Sequence, residues 1–173
     1  MYFRQFFDPV TSAMSYLLAD PAARVAALID PVCDPCQVLI FRALLAEREL
    51  ELALVLLTHV HGDTLAELLA PYPGVRVVAG AAAAEGQTAR DGDCLHLGAE
   101  TIRVIATPGH TPHSVSFLWR DRLFCGDALE LGGCAASVAG EGDPGQLFDS
   151  VTRRLFNLAD ETLVFPGHDF NGR

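Results

Sequence analysis

The stretch Thr58-His59-Val60-His61-Gly62-Asp63-Thr64 holds two histidines one residue apart, with an aspartate close behind. Imidazole nitrogens and a carboxylate at this spacing form a metal-ligand pattern. The pattern is complete only if further ligands arrive from elsewhere in the chain. Three later loops can supply them: Pro108-Gly109-His110, Cys125-Gly126-Asp127 and Pro166-Gly167-His168. Each sets a histidine or an aspartate beside glycine, which lets the backbone turn sharply at a strand end. A lone histidine is usually structural or merely exposed. Here His59, His61, His110, His113 and His168 all fall within or just after these loops, and only His96 occupies an ordinary strand position. That clustering favours a metal centre.

The elements that must deliver these residues are legible as short strands and helices. Tyr2 to Phe6, Ala13 to Leu18 and Val25 to Ile29 read as three strands separated by Asp20-Pro21 and, after the third, Asp30-Pro31. Short turns between them imply antiparallel pairing. From Pro35 to Leu50, Val38, Phe41, Leu44 and Leu45 recur at helical spacing, which predicts an amphipathic helix packed on a sheet. Leu52 to Leu57 is a buried strand running into the first histidine pair, and Leu65, Leu68 and Leu69 predict a helix stopped at Pro71. Val75 to Ala79, Cys94 to Leu97, Thr101 to Ala106, Ser114 to Trp119 and Leu123 to Phe124 are further strands, with a short alanine run at Ala81 to Ala84. Leu129 to Asp143 reads as a loop over the site. Pro144 opens a helix with Leu147, Val151, Leu155 and Leu158 on one face, since proline suits a first helical turn. Thr162 to Phe165 is the last strand and leads to His168. No repeat or low-complexity linker interrupts this order. Two mixed sheets covered by helices, in one domain over 1–173, is the simplest packing.

Composition narrows the function. The chain has 173 residues, half of them apolar, enough for a sizeable core. No apolar run approaches the ~20 residues of a membrane span, and the first residues lack the pattern of a signal peptide. A cytoplasmic protein is expected. Lys+Arg is 12 against Asp+Glu 22, a net charge of −10, so nucleic acid is not an expected partner. Five cysteines without a secretion signal argue against a disulfide framework. Cys33 and Cys36 form a Cys-Asp-Pro-Cys motif, read first as two thiols near a helix start, with a reversible redox pair as the alternative.

Taken together, Thr58 to Asp63, Thr107-Pro108-Gly109-His110-Thr111-Pro112, Gly126-Asp127 and Pro166-Gly167-His168 resemble the metallo-β-lactamase superfamily over nearly the whole chain. Within it the chain looks like the persulfide dioxygenases. The match lies in Phe3-Arg4-Gln5-Phe6-Phe7-Asp8, Leu28-Ile29-Asp30-Pro31-Val32, Gly126-Asp127-Ala128-Leu129, Gly132-Gly133-Cys134 and the ending from Pro166 to Arg173. The resemblance implies an αββα sandwich with the metal at one edge of the two sheets. It implies one iron(II) per chain held by His59, His110 and Asp127, with zinc as the alternative metal. It also implies a small-molecule persulfide and dioxygen as substrates, sulfite and a free thiol (usually glutathione) as products, and a homodimer as the assembly.

Three departures qualify that pattern. Thr64 stands where two-metal members carry a histidine, and threonine is a poor neutral ligand. His61, Asp63 and His168 then take supporting roles or mark a vestigial second metal site. A mononuclear two-histidine, one-carboxylate set with open positions suits non-haem iron oxygenases. Cys134 is followed by Ala135 and Ala136 rather than the family's Arg-Thr-Asp-Phe run, so an anchor for a substrate carboxylate is missing. Phe170 replaces the family's tyrosine. Cys134, Phe170 and His113 are candidates to line the substrate pocket. The competing readings are a glyoxalase II-like thioester hydrolase using metal-bound hydroxide, and a weakened paralogue serving as a sulfur-carrier or metal-binding module.

Overall fold

The computed structural model describes residues 1–60, 65–80, 86–132 and 142–170. The first sheet has the order β1-β2-β3-β4-β5-β6, from Tyr2–Phe7, Met14–Asp20, Val25–Ile29, Glu51–Leu57, Arg76–Ala79 and Gln87–Thr88. The second has the order β11-β10-β9-β8-β7, from Leu163–Pro166, Arg122–Gly126, Val115–Trp119, Glu100–Ala106 and Cys94–Leu97. Both sheets are mixed. The pairs β1–β2 and β2–β3 are antiparallel, as the short turns predict, while β3–β4, β4–β5 and β5–β6 are parallel. In the second sheet β11 joins β10 in parallel and the remaining pairs are antiparallel.

Side-chain alternation explains the layers. Strand β2 is buried along its whole length. Tyr16 and Leu18 face the second sheet, where they meet Ile102, Phe117 and Phe124. Leu17 and Ala19 face the other way, onto helix α1 (Pro35–Glu47), whose Val38, Phe41, Leu44 and Leu45 are buried. A strand covered on both faces must be apolar at odd and even positions alike. Strand β4 adds a bulge at Ala53: Ala26 pairs with Leu52, but Ala27 pairs with Leu54. The extra residue shifts the pleat by one. Leu52 and Val55 therefore pack towards α1, while Leu54 and Leu56 pack between the sheets.

Helix α2 (Ala66–Leu69) covers the first sheet near β4 and β5, with Leu68 buried. Helix α3 (Pro144–Ser150) covers the second sheet. It starts at Asp143, whose carboxylate accepts the amides of Gly145 and Gln146, with Pro144 in the first turn. Leu147, Val151 and Leu155 do share a buried face. The helix widens into a π-helical turn over Val151–Leu155, which the sequence period does not reveal. The layers run helix, sheet, sheet, helix: the αββα architecture expected above. Among the described residues no helix is long and apolar enough to cross a membrane.

Several boundaries differ from the reading of the sequence. Helix α1 ends at Glu47 rather than Leu50, because Glu49 is left-handed at φ 52° and Leu50 turns back to bond Leu45. Strand β6 was not expected: its Gln87 and Thr88 are exposed and carry no apolar alternation. The alanine run and most of the expected loop from Leu129 to Asp143 lie outside the described residues.

Candidate metal centre

Strands β4, β8, β10 and β11 all end at the same edge of the sandwich. Parallel pairing aligns the end of β4 with that of β3, and β11 with β10. Beneath this edge Phe3, Tyr16, Phe124 and Phe165 form an aromatic cluster, with Phe124 and Phe165 stacked at 5.2 Å. The cluster fixes the two strands whose next residues are Gly126-Asp127 and Gly167-His168. The Tyr16 hydroxyl also donates to the Pro166 carbonyl at 2.6 Å.

His59, His110 and Asp127 meet here, with their ligand atoms all within 4.8 Å of one another. Nε2 of His59 and Nε2 of His110 each lie 3.6 Å from the same oxygen, Oδ2 of Asp127. Donors bonded to one ion at about 2.0–2.2 Å are about 3.0–3.6 Å apart for ordinary bond angles. Both spacings to Asp127 therefore fit a metal ion held between that oxygen and a histidine nitrogen. The two imidazoles stand edge to face at 5.0 Å, each turning one nitrogen to the centre. Oδ1 of Asp127 is occupied differently: Nδ1 of His168 donates to it at 2.7 Å. That bond raises the His168 pKa above its ordinary value, against burial, which works the other way. His168 thus orients the carboxylate that faces the two other histidines.

Each donor is held by its loop. The His110 loop is clamped by α3: the Ser150 hydroxyl donates to the Pro108 carbonyl at 2.7 Å, and the Asp143 amide to the Gly109 carbonyl at 2.8 Å. Gly109 has φ 136° and lies so close to Leu147 that a Cβ would overlap the helix backbone. The Asp127 and His168 loops are joined by the Gly167 amide donating to the Gly126 carbonyl at 2.9 Å.

His59 is set by Asp30, which the sequence presents as a turn residue and as part of the family resemblance, with no role at the site. Asp30 follows β3 in a left-handed conformation, φ 45°. Its Oδ1 accepts the Thr58 amide and its Oδ2 the Thr58 hydroxyl, both at 2.8 Å. Burial pushes Asp30 up to about 7, although both bonds from Thr58 favour its charged form. The Thr58 hydroxyl also lies 2.9 Å from Nδ1 of His59. When Asp30 is ionised the hydroxyl gives it its one proton, so the oxygen accepts from Nδ1 of His59. His59 is then protonated at Nδ1, and its Nε2 carries the lone pair on the side that faces Asp127. Gly126, at φ 53°, leaves the room this hydroxyl needs, since a Cβ would overlap it. Only the β3–β4 pairing brings Asp30 to Thr58; the sequence signal was an aspartate closing an apolar strand, which is equally a turn signal.

The other candidates divide. His61, Asp63, Thr64 and Cys134 lie outside the described residues. Phe170 stacks on His168 at 5.2 Å and is 64% exposed. It does not line the cavity beside the centre, and neither does the exposed His113. That cavity, about 390 Å³, is bounded by His59, Asp127 and His168 at one end and by Pro31, Val32 and Leu65 elsewhere. Cys33 is half-buried and Cys36 exposed at the start of α1, and neither is in a disulfide.

No protein-family model matches the chain. Individual relatives do. The human mitochondrial persulfide dioxygenase ETHE1 is 34% identical over 98% of this chain and 68% of its own length. The hydroxyacylglutathione hydrolase of Francisella tularensis subsp. novicida is 33% identical over 96% of this chain and 67% of its own. The crystal structure of ETHE1 from Myxococcus xanthus superposes with a TM-score of 0.91 at 46% identity, covering 100% of this chain and 78% of that one. With this identity over almost its full length and the same fold, the chain belongs to the persulfide dioxygenase family of the metallo-β-lactamase superfamily.

Proposed function

We propose that the protein is an iron(II)-dependent persulfide dioxygenase, with His59, His110 and Asp127 as the ligands of one iron per chain. The observation that carries this reading is the cluster itself: two imidazole nitrogens 3.6 Å from one carboxylate oxygen, in a chain of this family. The presence of Thr64, with no ligand nitrogen, supports one metal over two. Iron bound there supplies the one-electron chemistry that lets dioxygen react with a closed-shell sulfur. The protein's part is positional. His59 is kept in one tautomer through Thr58 and Asp30, His110 is clamped through its loop by α3, and Asp127 is turned by His168. The apolar wall of the cavity receives the organic group and keeps bulk water away from the sulfur.

The reaction balances as RSSH + O2 + H2O giving RSH, sulfite and two protons. The S–S bond breaks, the outer sulfur loses four electrons, and dioxygen takes them up. Purified protein loaded anaerobically with iron(II) is expected to hold one iron per chain and to consume oxygen only when a persulfide is added. His59→Ala and Asp127→Ala are expected to abolish iron binding. Iron-loaded protein that takes up no oxygen with several persulfides would overturn the reading.

Thioester hydrolysis is the second reading, favoured by the likeness to a hydroxyacylglutathione hydrolase at 33% identity. Release of thiol from an acylthioester by zinc-loaded protein, without oxygen uptake on persulfides, would establish it instead.

A further inference from the structure

The cavity beside the proposed iron site has an unusual wall. Apart from Thr11 and the acid and histidine groups of the centre, its described side chains are apolar: Met14, Pro31, Val32, Leu57, Val60 and Leu65 among them. Among the described residues no arginine lines it. The chain contains no lysine at all, and its 12 basic residues are all arginine. The stretches outside the described residues add a single one, Arg173. The ionisable groups at the cavity are two carboxyls, Asp30 and Asp127, and the imidazoles of His59 and His168, on a chain of net charge −10. A substrate carboxylate moved from water onto the apolar part of this wall loses hydration and meets no arginine among the described residues, which weakens its binding.

We propose that this cavity selects a persulfide whose organic group is small and uncharged, in preference to one that carries carboxylates. This rests on the dioxygenase reading and narrows it. The persulfide sulfur reaches the centre at the His59–Asp127 end, while an alkyl or hydroxyalkyl group lies along Pro31, Val32 and Leu65. A glutathione persulfide must leave its two carboxylates in solvent, and so gains less from the wall.

The test compares oxygen uptake by iron-loaded protein on the persulfides of glutathione, 2-mercaptoethanol and 1-butanethiol. The expected result is a kcat/KM at least about tenfold higher for the two uncharged substrates, carried mainly by KM. Val32→Arg, which puts a cation on the wall without touching the ligands, is expected to raise kcat/KM for glutathione persulfide by about tenfold and to leave the uncharged pair equal or worse. In parallel, zinc-loaded protein is titrated with glutathione and with 1-butanethiol, with melting temperature as the readout; butanethiol is expected to stabilise at the lower concentration. Glutathione persulfide as the equal or better substrate, or glutathione as the equal or tighter ligand, overturns the proposal. No stabilisation by butanethiol does so too. If no persulfide is oxidised, the dioxygenase reading falls, and the thiol titration still decides the chemistry of the cavity.

Discussion

Two aspartates, Asp20 and Asp30, close opposite ends of the β2–β3 hairpin, and both tie it to another part of the fold through hydrogen bonds they accept. Asp20, at the end of β2, accepts amides from Ala22 and Ala23 in its own turn and from Ala99 in the β7–β8 hairpin, at 3.0, 3.3 and 3.0 Å. It staples the first sheet to the second. The Ala99 bond, with those from Ala23 and Ala22, holds its carboxyl below the ordinary value. Asp30, at the end of β3, accepts one amide and one hydroxyl, both from Thr58. The difference lies in what the donors do next. Backbone amides end the chain of contacts at Asp20. The Thr58 hydroxyl carries it on to His59 and from there to Asp127. One residue type with one bonding habit thus fastens the fold at one end and prepares a ligand at the other.

The largest effect is expected for Asp30→Ala. It leaves the buried Thr58 amide and hydroxyl without their acceptor, a loss of about 2–4 kcal/mol in urea unfolding. It also frees the His59 ring, so metal affinity is expected to fall by about 10–100-fold. Asp20→Ala is expected to lower the melting temperature with metal affinity unchanged. Equal loss of metal affinity in the two variants, by direct titration, would erase the distinction between staple and positioning residue.

Asp30→Asn sharpens the same comparison with a smaller change in stability. The amide oxygen can still accept the Thr58 N–H, but the amide nitrogen then donates to the Thr58 hydroxyl. That hydroxyl must give its proton to Nδ1 of His59, which moves the ring proton to Nε2 and blocks the lone pair that faces Asp127. The expected outcome is a fall of about tenfold or more in metal affinity, with most of the stability retained. Unchanged affinity would show that Thr58 does not set the tautomer.

This asymmetry also marks how much the sequence could tell. His59, His110 and Asp127 were among the candidates that ligand spacing and glycine-marked turns singled out, and the family resemblance picked these three from them. The two-sheet packing was readable from the order of strands and helices, and strands β2 and β4 agree with it by carrying apolar residues on both faces, Leu17 beside Leu18 and Leu54 beside Val55. Asp30 was not, since Asp-Pro after a strand is a turn signal whether or not a carboxylate points inward. The bulge at Ala53 was equally hidden: Leu52, Leu54 and Leu56 alternate as if on one face, and only pairing with β3 separates them. Strand β6 had no signal, because an exposed two-residue strand buries nothing. What the sequence conceals here is what non-local pairing decides.

The smallest effect is expected at a third aspartate, which separates burial from position. Asp91 lies at the site end of the second sheet. It accepts the Ala106 amide, just ahead of the His110 loop, and pairs with Arg154 at 2.6 Å. About half of its side chain is exposed. The Arg154 hydrogen bond, followed by the Ala106 amide, holds its carboxyl below the ordinary value despite some burial. A depressed acid adds stability above its unfolded pKa, about 3.9, and that stability is lost as pH falls through the folded value. Arg154→Met is therefore expected to cost at most about 1 kcal/mol at neutral pH, discounted for solvent screening. The gap to the unmodified protein should narrow as pH falls below about 4. It should not close entirely, because Arg154 also donates to the Ala106 carbonyl at 2.9 Å, a bond that no acid titration removes. Metal affinity is expected to stay unchanged. If it fell as far as in Asp30→Asn, closeness to the site, rather than a buried path to His59, would be what sets the ligand.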